Sequence, residues 1–169
     1  MNMIILCGFM GCGKTTVGKQ LARLYGYTFV DLDSRIESKA GKSIPEIFEA
    51  EGESGFRDRE YQSILELAGG QDTVLALGGG AVTYPRNLEA LRRMGTIVYL
   101  ECPFSVCYAR IRHSQNRPLV REGEEKLRRR FDERHPIYAG SADVIVNADG
   151  DAERISRAVY DIVKMQQTV

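Results

Sequence analysis

The chain has little of what marks several classes of protein. Its 23 basic and 23 acidic residues cancel, which argues against broad binding to nucleic acid or to a membrane surface. No apolar run approaches the roughly 20 residues that a membrane-spanning helix needs, so we expect no membrane contact. Because a strand-like run begins at Met3, we also expect no signal or transit peptide, and hence a cytoplasmic location.

Histidine and closely paired cysteines are also scarce. The chain has two histidines, and its four cysteines form two C-x4-C spacings instead of the C-x2-C pairs typical of zinc sites. The sequence therefore gives little support to a zinc site. We interpret the cysteines as reduced thiols.

A glycine-rich segment follows the first apolar run. Residues 8–15 read GFMGCGKT and match the phosphate-loop pattern G-x-x-x-x-G-K-[ST], with a strand pattern before them and an amphipathic helix pattern after them. In such a loop, backbone N–H groups bind phosphate oxygens, Lys14 reaches the β- and γ-phosphates, and the Thr15 hydroxyl binds Mg²⁺. The predicted ATP-binding residues here are Gly11, Cys12, Gly13, Lys14, Thr15 and Thr16, and Lys14 is also a predicted catalytic residue.

Cys12 is the one cysteine with a possible special property. It lies inside the glycine-rich segment, beside a predicted helix N-terminus, where the pKa of a thiol can fall. We therefore expect Cys12 to alkylate readily and ATP to protect it.

Strand and helix patterns alternate along the chain. Strands are predicted at residues 3–6, 27–31, 73–77, 96–100 and 144–146. Helices are predicted at residues 14–25, 33–40, 43–50, 54–68, 88–94, 103–112, 124–135 and 151–165, with a capping box at 43–46 and a mobile loop at 113–124. Apolar strands that alternate with helices are typical of a parallel sheet covered on both faces.

Polar or glycine-rich segments follow the first three predicted strands. The phosphate loop follows the first strand, Asp31 and Asp33 follow the second, and Gly78–Gly80 follow the third. Active sites in parallel sheets lie at the carboxyl ends of the strands. We therefore expect these segments to share one crevice.

Further motifs extend this pattern: Gly55-Phe56-Arg57 with Glu60, Arg117-Pro118-Leu119, and Arg134 with Pro136 and Tyr138. With the segments above, they resemble the shikimate kinases of the nucleoside-monophosphate-kinase-like P-loop family over nearly the whole chain. The resemblance implies a three-layer α/β P-loop fold with a five-stranded parallel sheet in the order 2-3-1-4-5. It also implies one domain over residues 1–169, with a mobile lid near 112–124 and a shikimate-binding helical region near 33–61.

The activity that the resemblance implies is ATP-dependent phosphorylation of the 3-hydroxyl of shikimate, on the route to aromatic amino acids. Arg57 and Arg134 match arginines that bind the carboxylate, and a guanidinium suits this role because it pairs with a carboxylate through two hydrogen bonds. Asp33 matches the residue that accepts from substrate hydroxyls, and it is an expected catalytic residue. Two roles stay open for it: base for the attacking oxygen, or positioning of that oxygen without strong base catalysis. Gly78, Gly79 and Gly80 match a loop whose backbone approaches the substrate.

On the nucleotide side, the resemblance adds two arginines and a carboxylate. Arg117 is expected to act on the phosphates from the lid, as a catalytic and ATP-binding residue. Arg110 matches a position near adenine. Because the strand at 73–77 carries no acidic residue, Mg²⁺ is expected to be bound directly by Thr15 and through water by Asp31.

Two of these assignments have a structural alternative, and one further basic run has no proposed function. Phe48 and Phe56 are expected to pack against the carbon ring of the substrate, with ordinary helix core as the alternative. Arg110 could instead be a solvated helix residue. The run Arg128–Arg130 is interpreted as a charged helix face, because Glu124, Glu125, Asp132 and Glu133 offset it.

Two other functions remain open on the sequence. A gluconate or nucleotide kinase would share the fold, and a gluconate acceptor also carries a carboxylate and hydroxyls. A nucleotide-binding regulatory module would not need Lys14, Asp33 and both acceptor arginines, all of which this chain keeps. The expected partners are therefore shikimate and ATP with Mg²⁺, without nucleic acid or membrane, and the expected state is a monomer.

Overall fold

The protein is built around a five-stranded parallel sheet. The computed structural model describes residues 3–114 and 122–168. The strands are β1 (Met3–Cys7), β2 (Thr28–Asp31), β3 (Thr73–Ala76), β4 (Gly95–Glu101) and β5 (Val144–Asn147). They lie in the order β2-β3-β1-β4-β5, which confirms the predicted fold.

The central strands are covered on both faces. Every residue of β1 and β3 is buried, so side chains that point to either face of the sheet are excluded from water. The covering helices are α1 (Lys14–Tyr25), α2 (Leu32–Ala40), α3 (Ile44–Leu65), α4 (Pro85–Met94), α5 (Phe104–Ile111), α6 (Glu124–Ser141) and α7 (Ala152–Gln167), with a 3-10 turn at Ala81–Thr83. None of the helices within the described ranges is long and apolar enough to span a bilayer.

The region between β2 and β3 starts with two capped helices. Asp31, the last residue of β2, is also the N-cap of α2 and accepts a hydrogen bond from Ser34 N. At α3, Ser43 and Glu46 form the predicted capping box, in which each side chain accepts from the other residue's backbone N–H. These caps fix where both helices begin.

Two predicted helices, at 43–50 and 54–68, join into α3 across a kink. Gly52 has φ 70° and ψ −177°, a conformation outside the helical region. That single residue redirects the chain, and helical geometry resumes directly after it. The second part ends at Leu65 instead of residue 68, and turns follow through Gly69.

The prediction that α6 ends near residue 135 is wrong. The helix continues to Ser141 and includes Pro136, which removes one backbone donor from the helix. Tyr138 explains the continuation, because its side chain is 1% exposed and its Oη donates to Gly79 O at 2.6 Å. Burial of this ring and its hydrogen bond outweigh the loss of one helical hydrogen bond.

Gly18 and Gly140 allow a matched test of packing between helix and sheet. A Cβ on Gly18 in α1 would lie 2.5 Å from the Phe29 ring, whereas a Cβ on Gly140 in α6 would meet no atom within 4 Å. Gly18→Ala should therefore lower the free energy of unfolding by about 1–3 kcal/mol, because Phe29 must move. Gly140→Ala should raise it by up to about 1 kcal/mol through helix propensity.

Urea unfolding of both variants beside the wild type measures the two effects. A Gly18→Ala variant as stable as Gly140→Ala would contradict the close packing of α1 on β2.

Candidate active site

The loop between β1 and α1 forms one end of the site. Lys14 is the first residue of α1, and its Nζ donates to the carbonyls of Gly8 at 2.6 Å and Phe9 at 3.1 Å. The N-cap is Gly13, and none of the described side chains caps the first turn of this helix. Its backbone N–H groups, together with the Lys14 ammonium, can bind a phosphate.

Three of the other predicted nucleotide-site residues lie beside this loop. Thr15 and Thr16 are exposed on the first turn of α1. Arg110 in α5 donates from Nη1 to Gly11 O at 3.0 Å, although 99 positions separate the two residues in the chain. Arg110 is therefore hydrogen-bonded to the phosphate loop although its side chain is exposed, and its place near adenine stays a prediction.

Cys12 lies underneath the same loop. Its side chain is 1% exposed, and its Sγ lies 3.8 Å from Lys14 Nζ. Because solvent does not reach the sulfur, a reagent has no access to it unless the loop moves. The expectation that Cys12 alkylates readily is therefore wrong, and the backbone of this residue is what remains available to a phosphate.

Asp31 connects the phosphate loop with the segment after β2. Its Oδ2 accepts from Thr15 Oγ1 at 3.3 Å, while its Oδ1 caps α2 through Ser34 N at 3.0 Å. Hydroxyl and carboxylate oxygens are the donors that Mg²⁺ prefers. Within residues 3–114 and 122–168, no cluster of three or more His, Cys, Asp or Glu could hold a metal, so phosphates and water would supply the other ligands.

Asp33 lies two residues after Asp31, as the second residue of α2. Burial first, and then the negative charges of Asp31 and Glu60, raise the pKa of this carboxyl from 3.8 to about 6, against the lowering effect of Lys14 and Arg57. Its Oδ1 is buried and accepts no hydrogen bond from any described group. Asp33 is thus a carboxylate with a free acceptor oxygen in a partly desolvated position.

Gly78, Gly79 and Gly80 bring three predicted acceptor residues together. A Cβ on Gly78 would lie 2.7 Å from Asp33 Oδ1, and one on Gly80 would lie 2.6 Å from an Arg57 nitrogen. A Cβ on Gly79 would lie 3.1 Å from Arg134 Nη1. Since consecutive Cα atoms are about 3.8 Å apart, one carboxylate and two guanidinium groups surround a very short stretch of backbone.

Arg57 is fixed by its neighbours on α3 and beyond. Its Nη1 donates to both oxygens of Glu60, at 2.9 and 3.0 Å, and Glu60 is fully buried. The guanidinium also lies over the rings of Tyr84, at 4.5 Å, and Phe56, at 5.0 Å. These contacts hold a cation rigidly at the glycine loop without covering all of its donors.

Arg134 and Tyr138 bring α6 to the opposite side of the loop. Tyr138 Oη donates to Gly79 O, one residue from the Gly80 position that Arg57 contacts. Burial raises the pKa of Tyr138 well above 10, so the phenol keeps its proton and stays a donor. Because Arg134 lies about one helical turn before Tyr138, on the same face of α6, this hydrogen bond also fixes the distance of Arg134 from the loop.

The two predicted ring contacts differ in their surroundings. Phe56 is 5% exposed and belongs to the core, whereas Phe48 is 37% exposed. Their ring centroids are 4.8 Å apart. Contact of either ring with a substrate stays a prediction, and the helix-core alternative describes Phe56 better than Phe48.

Part of the predicted lid cannot be compared with the structure. Arg117 lies outside the described residues, together with the rest of 115–121. Its role stays a prediction from sequence.

Three buried polar residues support the site although no sequence prediction gives them a role. Glu60 and Tyr138 stand in the quoted motifs, but their contacts were not predicted. The pairing of Glu60 with Arg57 could have been, because a carboxylate three residues after an arginine faces it on a helix. The contact of Tyr138 with Gly79 was not expected, because α6 was predicted to end before Tyr138. Asn87 gave no signal, because it precedes the helix predicted at 88–94 and its contacts come only from the fold.

The chain is similar to known kinases over most of its length. The family model described as shikimate kinase matches residues 10–165. The shikimate kinase of Halorhodospira halophila is 46% identical over 168 residues, which cover 98% of this chain and 95% of that protein.

Solved structures give the same result. Shikimate kinase from Acinetobacter baumannii in complex with shikimate has a TM-score of 0.91 and 40% identity, and the match covers 98% of this chain and 94% of that one. A gluconokinase from Sinorhizobium meliloti has a TM-score of 0.63 and 16% identity, over 99% of this chain and 96% of that one, and at this identity it shows only a shared fold. The family model and the 46% identical relative show that this chain belongs to the shikimate kinase family.

Proposed function

We propose that the chain transfers the γ-phosphoryl group of ATP to the 3-hydroxyl of shikimate and releases shikimate 3-phosphate and ADP. This reaction belongs to the pathway to chorismate and the aromatic amino acids. Membership of the family supports the proposal, and so does the 40% identical relative whose structure contains shikimate. Residues 33–61, which contain both Asp33 and Arg57, would supply most of the acceptor-binding region.

The observation that carries the proposal is the set of charges around the glycine loop. Arg57 and Arg134 lie against Gly80 and Gly79, and Asp33 lies against Gly78. Shikimate is a small ring with one carboxylate and three hydroxyls, so it needs fixed cations at one end and a hydrogen-bond acceptor at the other. We propose that the two arginines bind its carboxylate and that Asp33 accepts from its 3-hydroxyl.

The acceptor chemistry follows from the state of Asp33. With a pKa of about 6, the carboxyl is ionised at neutral pH but is a stronger base than an ordinary aspartate. Asp33 orients the 3-hydroxyl and takes its proton as the new P–O bond forms, while the bond between the γ-phosphorus and the bridging oxygen of ADP breaks. Transition states of this kind are loose, so the orientation of the attacking oxygen is an essential contribution.

The phosphate end would use the loop between β1 and α1. Backbone N–H groups from Gly11 to Thr16 and the Lys14 ammonium bind the phosphates, and Arg110, attached to Gly11 O, would border the adenine. Thr15 would hold Mg²⁺ directly and Asp31 would hold it through water, in agreement with their oxygen donors. When bound, Mg²⁺ neutralises developing charge on the phosphates.

The proposal is tested by ADP release from Mg·ATP in a coupled assay with shikimate, gluconate or nucleoside monophosphates as acceptor. We expect ADP release that depends on shikimate, at least 100-fold above that with the other acceptors. Asp33→Asn should lose more than 99% of this rate, whereas Asp132→Asn, a change at an exposed carboxylate on α6, should keep it. Turnover on gluconate or a nucleotide instead would overturn the acceptor assignment.

Arg57→Ala tests the carboxylate-binding end. Of the two substrates, only the acceptor is proposed to contact Arg57, so the KM for shikimate should rise about 10- to 100-fold, which corresponds to about 1.4–2.8 kcal/mol of lost binding. The KM for ATP should stay within about twofold. Arg59→Ala is the matched control, because Arg59 lies on the same helix and pairs with Glu51 at the surface. Steady-state kinetics that show equal shikimate KM values for both variants would remove Arg57 from the site.

The raised pKa of Asp33 also predicts a pH-dependent stability. The folded pKa, about 6, exceeds the ordinary 3.8, so the folded state binds more protons than the unfolded state between these values. Asp33 therefore lowers stability as pH rises from 4 to 6, by an amount that reaches about 3 kcal/mol above pH 7. Asp33→Asn should be more stable than the wild type by up to about 3 kcal/mol at pH 7.5 and by about 1 kcal/mol at pH 4.5.

Urea unfolding at the two pH values measures this difference, and Asp132→Asn again serves as the control. A gain in stability for Asp33→Asn that does not depend on pH would show that Asp33 has an ordinary pKa. The kcat/KM of the wild type for shikimate should, for the same reason, fall below a pH of about 6 as Asp33 becomes protonated.

A further inference from the structure

Asn87 is buried between the acceptor-binding arginine and the glycine loop. It is the third residue of α4, and its side chain is fully buried. Its Nδ2 donates two hydrogen bonds, to Glu60 Oε1 at 2.8 Å and to Ala81 O at 3.0 Å. The amide group therefore bonds at once to α3 and to the backbone that directly follows Gly80.

The first of these bonds acts on Arg57 through Glu60. Both oxygens of Glu60 accept from Arg57 Nη1, and Glu60 has no exposed surface. A buried carboxylate keeps its position and charge only when donors satisfy its oxygens. Asn87 is a second donor to Oε1, the oxygen that also accepts from Arg57 Nη1, so the position of the carboxylate that orients the Arg57 guanidinium depends on Asn87.

The second bond acts on the loop. Ala81 begins the 3-10 turn that ends the glycine segment, and its own N–H donates to Gly78 O at 3.2 Å. A Cβ on Gly80 would lie only 2.6 Å from an Arg57 nitrogen, so a small displacement of the loop changes the space at the guanidinium. Because the same amide nitrogen of Asn87 donates to Glu60 and to Ala81 O, Asn87 holds the loop at a fixed distance from the Arg57–Glu60 pair.

We infer that Asn87 is a positioning residue for the acceptor: it holds Glu60 and the Ala81 carbonyl together, and so aims Arg57 at the acceptor carboxylate. Asn87 contacts neither substrate itself. The inference rests on the proposed function, because it assumes that Arg57 binds the carboxylate of shikimate.

Asn87→Leu tests the inference, since leucine is close to asparagine in size but donates no hydrogen bond. We expect the KM for shikimate, and the dissociation constant for shikimate measured by titration calorimetry, to rise at least fivefold. The KM for ATP should change less than twofold, because the phosphate loop has no bond to Asn87 among those described. Loss of stability alone would not separate the two substrates in this way.

Ser156→Ala is the matched control for lost stability. Ser156 is also fully buried, and its Oγ donates to backbone carbonyls in α1 and α7, away from the glycine loop. We expect this variant to unfold more easily and to keep both KM values within twofold. An increase in the shikimate KM of Ser156→Ala equal to that of Asn87→Leu would overturn the inference.

A double-mutant cycle with Arg57→Ala asks whether Asn87 acts through Arg57. If it does, Asn87→Leu should change the shikimate KM less than twofold once Arg57 is alanine. The full fivefold increase in that background would contradict the inference. Asn87→Ser keeps a polar group that is too short to bond to both acceptors, and it replaces Asn87→Leu if the leucine variant does not fold.

Different results would contradict the shikimate kinase activity and the positioning role of Asn87. If the wild type shows no turnover with shikimate, the proposed function is wrong. If the wild type phosphorylates shikimate but Asn87→Leu and Asn87→Ser keep its KM, only the positioning role of Asn87 is wrong.

Discussion

The close approach of charged side chains to the backbone after β3 is the constraint on which the site depends. Three consecutive residues without Cβ atoms lie against Asp33, Arg134 and Arg57, and at two of them a Cβ would overlap the charged group. The sheet order makes this arrangement possible, because β3 lies between β2 and β1. The carboxyl ends of these three strands therefore bring together the Asp31–Asp33 segment, the glycine loop and the phosphate loop.

Burial gives the charges around this loop their properties. Arg57 lies among Glu60, Phe56 and Tyr84, so it keeps its charge and a single orientation at low dielectric. Asp33 is partly desolvated and lies near other carboxylates, which is why its pKa rises. The same low dielectric strengthens the electrostatic contacts of Asp33 and Arg57 with a bound acceptor. Burial of these charges lowers the stability of the fold but strengthens substrate binding.

Local signals in the sequence predicted the strands, the phosphate loop and most element boundaries, whereas the sheet order came from the resemblance to the shikimate kinases. Apolar runs mark the strands, the G-x-x-x-x-G-K-T pattern marks the loop, and the capping box marks the start of α3. Two predictions from local sequence were wrong. The helix predicted to end near residue 135 continues to Ser141 and buries Tyr138, and the helix N-terminus suggested a reactive Cys12 that the loop itself buries.

Contacts between distant segments could not be predicted in this way. The bonds from Asn87 to Glu60 and from Tyr138 to Gly79 join residues 27 and 59 positions apart, and no periodicity records them. The most direct measurement is a crystal structure of the protein with shikimate. The account predicts carboxylate oxygens within about 3 Å of Arg57 and Arg134 nitrogens, and a ring hydroxyl at about 2.6–3.2 Å from Asp33 Oδ1. Shikimate bound with its carboxylate away from both arginines, or with no hydroxyl at Asp33, would contradict it.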